Sequence, residues 1–295
     1  MMEDEQLLDW VDSIDTALVR YFAKKDMSCN PLDRAMEYTV LAGGKRLRSL
    51  LTVTACHALG GNAEEAILFS LVPEFLHSYS LIHDDLPCMD NDDMRRGKPA
   101  NHITFGEANA VLAGDALQAE GFGLLATAHH SSMNPERRVT LMAELAQAVG
   151  RSGMVAGQVM DLEQEGKPID LERLTLLHRR KTGALLRFCI RLGGHLADAP
   201  QARMEALTRY ADAVGLLFQV VDDLLDSASS SEKLGKTAGK DALREKATFP
   251  ALLGLQDARD YAARLRDEAL AALDELQPRT DHLAVIARFI HDREH

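Results

Sequence analysis

The stretch LIHDDLPCMDNDDMRRGKPANH, residues 81–102, determines how the rest of the chain is interpreted. Its carboxylates follow directly on an apolar run, residues 75–82, and precede a short basic run. Carboxylates that emerge from a buried helix must be neutralised, because an unpaired buried charge is costly or shifts its pKa until it is neutral. A hard divalent cation is the natural partner, so the stretch indicates a metal site. The acidic residues are Asp84, Asp85, Asp90, Asp92 and Asp93.

A second acidic cluster, FQVVDDLLD at residues 218–226, supports this interpretation. At about 100° per residue its polar side chains fall on one helical stripe, namely Gln219, Asp222, Asp223 and Asp226. Two such stripes facing each other form an oxygen-only cage of the kind that suits Mg²⁺. One acidic cluster alone is equally well explained as a solvated face, but two clusters flanked by apolar residues disfavour that explanation.

The first cluster requires a break in its helix. Asp84 and Asp90 are six positions apart, about 240° on an ideal helix, and therefore do not share a face. Pro87 lacks an N–H and disfavours helix at Leu86. We therefore predict that the helix ends or bulges there and lets Asp90 swing back toward Asp84.

Composition excludes several classes of function. The chain has 295 residues, 46% hydrophobic and 26% charged, with a net charge of -12. No basic stripe is available for a nucleic-acid partner. The four cysteines are far apart and predict reduced core thiols. The acidic start, MMEDEQ, is unlike a secretory signal, and no apolar run is long enough for a membrane span. We expect a single cytoplasmic domain over residues 1–295.

Helical periodicity dominates the chain, and no strand pattern of period two is evident, so we predict an all-α fold with about ten or more helices around a cavity. His77 lies seven positions before Asp84 and is predicted to face the same cavity, although a lone histidine on an apolar helix is often a core residue. In LAGGKRLRSLL, residues 41–51, Lys45, Arg46 and Arg48 open a helix, which indicates either an anion site or a solubilising turn.

Two further segments carry basic residues. Residues 170–196 predict one long helix that contains a Lys181-Thr182 pair. Residues 227–241, SASSSEKLGKTAGKD, predict a flexible loop after the second cluster. Lys236 resembles the end of a phosphate-binding P-loop, but Ser230 stands where that motif requires glycine. The loop is either a lid that brings Lys236 onto phosphate or a solvated surface, and Lys246 has the same two interpretations.

These motifs together resemble one enzyme family. The motifs are GGKRLR at 43–48, LIHDDLPCMDNDDMRRG at 81–97, KTGAL at 181–185 and FQVVDDLLD at 218–226. In this order they are similar to the trans-isoprenyl diphosphate synthases, including the bacterial farnesyl diphosphate synthases (geranyltranstransferases). The resemblance covers nearly the whole chain. It implies the antiparallel helical prenyltransferase (isoprenoid synthase) fold, with a central cavity between two Asp-rich helices, in a homodimer.

The resemblance also implies the roles of individual residues. Three Mg²⁺ ions are expected, two bound by Asp84 and Asp90 and the third by Asp222, while Asp85, Asp223 and Asp226 complete the inner or water-linked shell. Lys181 is expected to be catalytic with these acids. The allylic diphosphate is expected to contact Arg95, Lys181, Thr182, Gln219, Lys236 and Lys246. Isopentenyl diphosphate is expected to contact Lys45, Arg48, His77 and Arg96.

Product length is predicted from the helix that carries Asp84. The growing tail should pass the residues one turn before it, Tyr79 and Ser80. In the family, an aromatic residue five positions before the first aspartate limits the product near fifteen carbons, and the small Ser80 leaves room for the second condensation. We therefore expect farnesyl diphosphate, with geranylgeranyl diphosphate as the alternative.

Three rival functions fit the sequence less well. A terpene cyclase should carry Asn, Ser or Glu ligands in its second motif and a more aromatic pocket than 5% aromatic residues provide. A metal-dependent phosphohydrolase with a pair like His83-Asp84 needs further histidine ligands, which the second cluster lacks. A catalytically silent subunit or binding module typically loses one acidic motif, and both are intact here.

Overall fold

The computed structural model describes residues 4–23, 31–164, 166–234, 248–276 and 279–293. In this part of the chain the fold is all-α, as predicted, with a single two-residue strand pair that the sequence did not indicate. The α-helices are α1 Glu5–Ala23, α2 Pro31–Val40, α3 Leu47–Ala58, α4 Ala63–Asp84, α5 Asn101–Phe105, α6 Glu107–Thr127, α7 Pro135–Val149, α8 Met154–Gln164, α9 Leu171–His178, α10 Ala184–Leu196, α11 Gln201–Leu234, α12 Phe249–Leu253, α13 Leu255–Asp274 and α14 Asp281–His291. The antiparallel strands are β1 Met94–Arg95 and β2 Lys98–Pro99.

Helix α4 lies at the centre of the core. It begins at Asn62, whose side chain accepts hydrogen bonds from the amides of Glu64 and Glu65, as N-cap residues do. Buried side chains such as Phe69 and Phe75 cover most of its circumference, which is typical of a helix surrounded by others. It packs against α1, α2, α3, α6 and α10. The first acidic cluster therefore begins at the end of a rigidly held helix.

Helices α4 and α6 approach each other closely at glycines. A Cβ atom at Gly114 would lie 2.1 Å from Nε2 of His83, and one at Gly121 would lie 2.2 Å from Cδ2 of Leu76. Neither position has room for a side chain. The two glycines therefore allow α4 and α6 to pack closely.

The segment predicted as one helix over residues 170–196 is divided by a π-helical turn at Arg179–Gly183. Single π-turns inserted between α-helical segments are frequent at functional sites. Two neighbouring helices reach this turn through glycine. A Cβ at Gly157 of α8 would lie 2.2 Å from the backbone N of Lys181, and one at Gly215 of α11 would lie 3.1 Å from Cα of Gly183.

The segment predicted as a loop directly after Asp226 is helical as far as Leu234, because α11 extends to that residue. The hydroxyl of Ser227 donates to the carbonyl of Asp223, 2.8 Å away, so a serine in this segment is satisfied within the helix. The predictions for Lys236 and Lys246 lie outside the described residues.

Three further observations concern membrane-spanning helices, the cysteines and a surface groove. None of the described helices combines the length and apolarity needed to cross a membrane. Cys56 and Cys189 are buried free thiols as expected, whereas the free thiol of Cys88 is exposed and is not a core residue. A groove of about 600 Å³ between α1 and the N-terminal half of α4 contains neither acidic cluster.

Candidate active site

The first acidic cluster folds back on the end of α4. The helix ends at Asp84, and the amide of Asp90 donates to the carbonyl of Asp84 at 2.8 Å. The predicted helix break is therefore confirmed, and the chain returns as expected. The pKa of Asp84 is raised to about 6, chiefly by burial; the charge of Lys181 lowers it, and that of Asp90 raises it. Asp84 is thus a buried carboxylate whose charged form a nearby cation would stabilise.

In each Asp-Asp pair the second acid anchors a neighbouring segment. Asp85 is 2% exposed, and its Oδ1 accepts a hydrogen bond from Nε of Arg95 at 2.9 Å. Asp223 is 9% exposed, and its Oδ2 accepts from the amide of Phe249 at 2.9 Å. Consecutive helical residues point about 100° apart. The first acid of each pair is therefore turned away from the partner that binds the second.

Residues of the π-turn interact with both acidic clusters, by hydrogen bonds with the second and through charge with the first. The Thr182 hydroxyl donates to Oε1 of Gln219 at 3.1 Å, and Nε2 of Gln219 donates to Oδ2 of Asp222 at 3.2 Å. Nζ of Lys181 lies 2.5 Å from Oδ2 of Asp161. The same ammonium group also lowers the pKa of Asp84. The π-turn therefore lies between the two Asp-rich helices.

Basic side chains gather around His77. Burial, followed by the charges of Arg48, Arg96, Arg95 and Arg46, holds the pKa of His77 well below its ordinary value. Nε of Arg48 is buried and has no hydrogen-bond partner among the described residues. An unpaired buried guanidinium donor beside further cations fits an anionic group, because such a donor otherwise carries a desolvation cost.

The remaining predicted anion contacts lie on the segment before α3 and at the β1–β2 turn. Arg96 donates to the carbonyl of Gly43, and Nζ of Lys45 lies 5.7 Å from the ring centroid of Phe289. Both cations are exposed. They are thus placed on either side of the Gly43 turn, at the edge of the basic cluster.

Arg46 departs from the prediction that groups it with Lys45 and Arg48 at an anion site. Its side chain is buried, with Nε 2.7 Å from Oδ1 of Asp15 and Nη1 3.0 Å from Oε2 of Glu74. A buried cation is retained when carboxylates neutralise it in this way. Arg46 therefore holds α1 and α4 together rather than facing a ligand.

The basic cluster and the second acidic cluster belong to one region. Burial lowers the pKa of Arg48, and the charges of Glu74 and Asp222 raise it. Burial raises the pKa of Asp222; Arg293 lowers it, and Asp226 raises it. Because the charge of Asp222 acts on Arg48, a predicted metal ligand and a predicted anion contact lie in the same region.

Arg293 is a site residue that the sequence reasoning missed. Its Nη2 lies 2.7 Å from Oδ1 of Asp222, and its guanidinium carbon lies 4.3 Å from the ring centroid of Phe218. The contact spans 71 positions in the chain, so no local pattern could have indicated it.

Comparison with known proteins assigns this arrangement to a family. A family model described as polyprenyl synthetase matches residues 29–282. The chain belongs to the polyprenyl synthetase family. It is 43% identical over 289 residues to a farnesyl diphosphate synthase of Bacillus subtilis, an alignment that covers 98% of this chain and 97% of the relative.

Other relatives carry different product names. A chloroplastic geranylgeranyl pyrophosphate synthase of Capsicum annuum is 49% identical over 249 residues, which cover 84% of this chain and 67% of the relative. The crystal structure of an FPP/GFPP synthase from Zymomonas mobilis superposes with a TM-score of 0.85 at 40% identity, over 97% of this chain and 99% of that one. The protein is therefore a trans-prenyltransferase of the farnesyl or geranylgeranyl diphosphate synthase type, with the all-α prenyltransferase fold.

In this polyprenyl synthetase the two predicted chain-length residues differ in their surroundings. Tyr79 is 6% exposed, and its ring centroid lies 5.7 Å from that of His83. Burial raises the pKa of its hydroxyl to about 12, and the charge of Asp84 raises it too. The Ser80 hydroxyl donates to the carbonyl of His77 at 2.9 Å and is satisfied within α4. Tyr79 is thus a buried bulky side chain one turn from Asp84.

The donors of the polyprenyl synthetase site suit a hard cation. Asp84, Asp90, Asp222 and Asp226 offer only carboxylate oxygens, and burial raises the pKa of Asp84 and of Asp222. Among the described residues, no three His, Cys, Asp or Glu side chains form a ready-made metal cluster. Mg²⁺ fits this arrangement, because it usually keeps several waters and shares its coordination with substrate phosphates.

Proposed function

We propose that this polyprenyl synthetase condenses isopentenyl diphosphate with dimethylallyl diphosphate and then with geranyl diphosphate, and that its main product is farnesyl diphosphate. The supporting observation is the buried ring of Tyr79, one turn below Asp84 on α4. A tail that leaves the diphosphate site along α4 meets this ring. The Bacillus subtilis relative is named a farnesyl diphosphate synthase.

The allylic diphosphate binds at the π-turn in this proposal. Lys181 and Thr182 reach it from the turn, Gln219 from α11 and Arg95 from the β1 strand. Their mutual contacts support the assignment, because Thr182 hydrogen-bonds Gln219 and Asp85 orients Arg95. The contributions of Lys236 and Lys246 remain predictions from the sequence.

Isopentenyl diphosphate binds at the basic cluster. Arg48, Arg96 and Lys45 supply positive charge, and Arg48 supplies the unpaired buried donor described above. His77 is neutral near pH 7, because its pKa lies well below the ordinary value. It can therefore hydrogen-bond the diphosphate without requiring a proton from solvent.

The reaction requires stabilisation of negative charge on a leaving group. The allylic C–O bond ionises because its cation is delocalised, and the double bond of isopentenyl diphosphate then attacks that cation. Lys181 and Arg95 present fixed positive charge to the departing diphosphate. The released diphosphate accepts the proton lost from the new product. Mg²⁺, when bound, supplies further positive charge to the diphosphate oxygens.

Three Mg²⁺ ions would be held by the acidic clusters. Asp84 and Asp90 are proposed to bind two ions and Asp222 the third, with Asp226 beside it. Asp85 and Asp223 complete the inner or water-linked shell in this proposal while anchoring Arg95 and Phe249. The raised pKa of Asp84 supports the arrangement, because it reflects chiefly the burial of a carboxylate whose charged form an added cation would stabilise.

One assay tests this function. Purified protein is incubated with dimethylallyl diphosphate, isopentenyl diphosphate and Mg²⁺, and the products are identified by chain length. We expect mainly a fifteen-carbon product. A mainly twenty-carbon product would refute the assigned product, and the absence of any isoprenoid product would refute the reaction itself.

Variants of the acidic clusters test the metal roles. Asp84→Ala and Asp222→Ala should each reduce kcat far more than substrate affinity, because metal charge matters most as the leaving group develops. Asp274→Ala removes an exposed carboxylate at the end of α13 and serves as the control. Activity within a fewfold of the parent in both cluster variants would contradict the proposed cage.

We also propose that the enzyme is a homodimer. Ile103 of α5 and Leu112 of α6 are 51% and 55% exposed, and the two helices pack side by side. Exposed apolar side chains of neighbouring elements favour a protein interface. Leu112→Glu should lower the mass measured by sedimentation to that of a monomer, whereas Leu255→Glu on α13 should not. A monomeric parent would exclude the proposal.

A further inference from the structure

The imidazole of His178 contacts the polar network of the second acidic helix. Its Nδ1 lies 3.0 Å from Oε1 of Gln219. Nε2 of Gln219 donates to Asp222 and its oxygen accepts from the Thr182 hydroxyl, so the amide turns its oxygen toward His178. In this arrangement Nδ1 of His178 carries the hydrogen. An N–H at Nδ1 therefore favours this orientation of the Gln219 amide over the flipped one.

The neighbouring contacts do not determine this orientation as firmly. A hydroxyl can donate or accept, so Thr182 is satisfied by either end of the amide. Asp222 favours the NH2 end, but the same carboxylate is a proposed metal ligand, and a cation would draw on its oxygens. An N–H at Nδ1 of His178 accepts nothing and requires the oxygen of Gln219. The contact between His178 and Gln219 involves neither oxygen of Asp222, so a cation bound to Asp222 would leave it in place.

The ring of His178 is itself held in place. It stacks on Phe249, with centroids 5.4 Å apart and an angle of 28° between the planes. Its Nε2 lies 3.8 Å from Oδ2 of Asp223, and the side chain is 11% exposed. Asp223 also accepts the amide of Phe249. His178 thus connects α12 and the anchoring acid Asp223 to the amide of Gln219.

We propose that His178 is a positioning residue for prenyl transfer, which acts by directing the NH2 group of Gln219 toward Asp222 and the allylic diphosphate. The inference rests on the proposed function of this site. Without the Nδ1 donor, the amide can rotate by 180° and present its oxygen to a carboxylate and a diphosphate. Both would repel that oxygen, so the site would bind the allylic substrate more weakly.

Three substitutions separate orientation from packing. His178→Asn keeps a donor at the δ position, His178→Gln places its donor at the ε position, and His178→Leu keeps volume without a donor. The Michaelis constants for dimethylallyl and isopentenyl diphosphate and kcat are measured for each, with thermal unfolding. His178→Leu and His178→Gln should raise the allylic Michaelis constant about tenfold, because a misplaced polar group costs about 1–3 kcal/mol. His178→Asn should restore most of the loss, and the isopentenyl constant should stay near that of the parent.

A double-mutant cycle tests the route through Gln219. In a Gln219→Leu background, His178→Leu should cause no further rise in the allylic Michaelis constant, because the group that it orients is already absent. Additive effects would overturn the proposal, as would equal losses in His178→Asn and His178→Leu. If His178→Leu does not fold, His178→Gln takes its place in the cycle.

A binding measurement separates this inference from the proposed reaction. Pyrophosphate is titrated calorimetrically into each variant with Mg²⁺ present, and the donor-less variants should bind it about tenfold more weakly than the parent and His178→Asn. Equal affinity in all variants would overturn the role of His178. A parent that binds pyrophosphate but forms no isoprenoid would refute the proposed function while leaving the positioning role intact.

Discussion

Nη2 of Arg293 lies 2.7 Å from Oδ1 of Asp222, which joins the C-terminal segment to the second acidic cluster. The same guanidinium donates to the carbonyl of Phe218 at 3.3 Å and lies over the ring of that residue. Arg293 therefore contacts α11 at two levels, one turn apart. Its positive charge occupies an oxygen that a metal ion would also use.

We predict that Arg293→Gln increases the affinity of the second cluster for divalent cations by about tenfold, since a hydrogen bond to a charged group contributes about 1.5–3 kcal/mol. Mn²⁺ binding with pyrophosphate present, followed by electron paramagnetic resonance, measures this affinity without turnover. Arg288→Gln removes an exposed charge from α14 and is the matched control. An unchanged or weaker affinity in Arg293→Gln would mean that the ion pair does not compete with the metal.

A partly buried ion pair between α7 and α10 predicts how stability depends on pH. Burial would raise the pKa of Glu144, but hydrogen bonds from Arg191 and His195 outweigh it and lower the pKa to about 2. Nε of Arg191 lies 2.8 Å from Oε2 of Glu144. Because the folded-state pKa is depressed, this contribution is present above the ordinary glutamate pKa, near 4.5, and is lost as the pH falls toward 2.

The contribution amounts to at most about 3 kcal/mol of the free energy of unfolding. Urea denaturation between pH 3 and 7 should show the parent losing its advantage over Glu144→Gln as the pH falls. Glu275→Gln disrupts the exposed pair with Arg209 and should leave the pH profile nearly parallel to that of the parent. A stability difference between parent and Glu144→Gln that is constant with pH would contradict the assignment.

The residues below Asp84 predict product length. Tyr79→Ala removes the buried ring and should shift the product toward twenty carbons or more, because space opens one turn below the acidic cluster. Ser80→Phe should shift it toward ten carbons. Chromatography of the dephosphorylated products measures both changes. An unaltered distribution in Tyr79→Ala would show that the tail does not pass this residue.

We predict that alanine substitutions of Gly157, beside the π-turn, and of Gly123, on α6, have opposite effects on stability. Gly157→Ala would place a Cβ 2.2 Å from the backbone N of Lys181, so the turn must move, which costs about 1–3 kcal/mol of stability. Activity should fall as well, because Lys181 moves with the turn. Gly123→Ala on α6 meets no atom within 4 Å and should stabilise the protein by about 0.5–1 kcal/mol. Thermal unfolding and kcat, measured on both variants, check the prediction; equal effects at the two glycines would contradict it.

Local chemistry made much of the site predictable. The end of α4 at Asp84 follows from the effect of Pro87 on the residues before it, and the pairing of Gln219 with Asp222 follows from helical spacing. The helical class follows from periodicity. Such features depend on residues within two turns of one another, where the geometry of a helix fixes which side chains meet.

Other features depend on tertiary contacts that spacing cannot reveal. Arg46 and Arg48 are both basic and two positions apart, yet Arg46 pairs with Asp15 and Glu74 while Arg48 retains an unpaired donor. Arg293 reaches Asp222 from the far end of the chain. The π-turn at Arg179–Gly183 interrupts a segment whose sequence predicts one continuous helix. Each outcome is decided by which helices pack together.

At Gly114 and Gly121, α6 presents only backbone to α4, and the atoms that approach these positions are side-chain atoms of His83 and Leu76. The close approach of the two helices therefore depends on the absence of a Cβ at both glycines. Space beside α4 must therefore be gained by shortening the side chains of α4 itself, because α6 has no side chain to shorten at these two positions. An engineer seeking longer prenyl chains should remove atoms from α4 and leave its distance from α6 untouched.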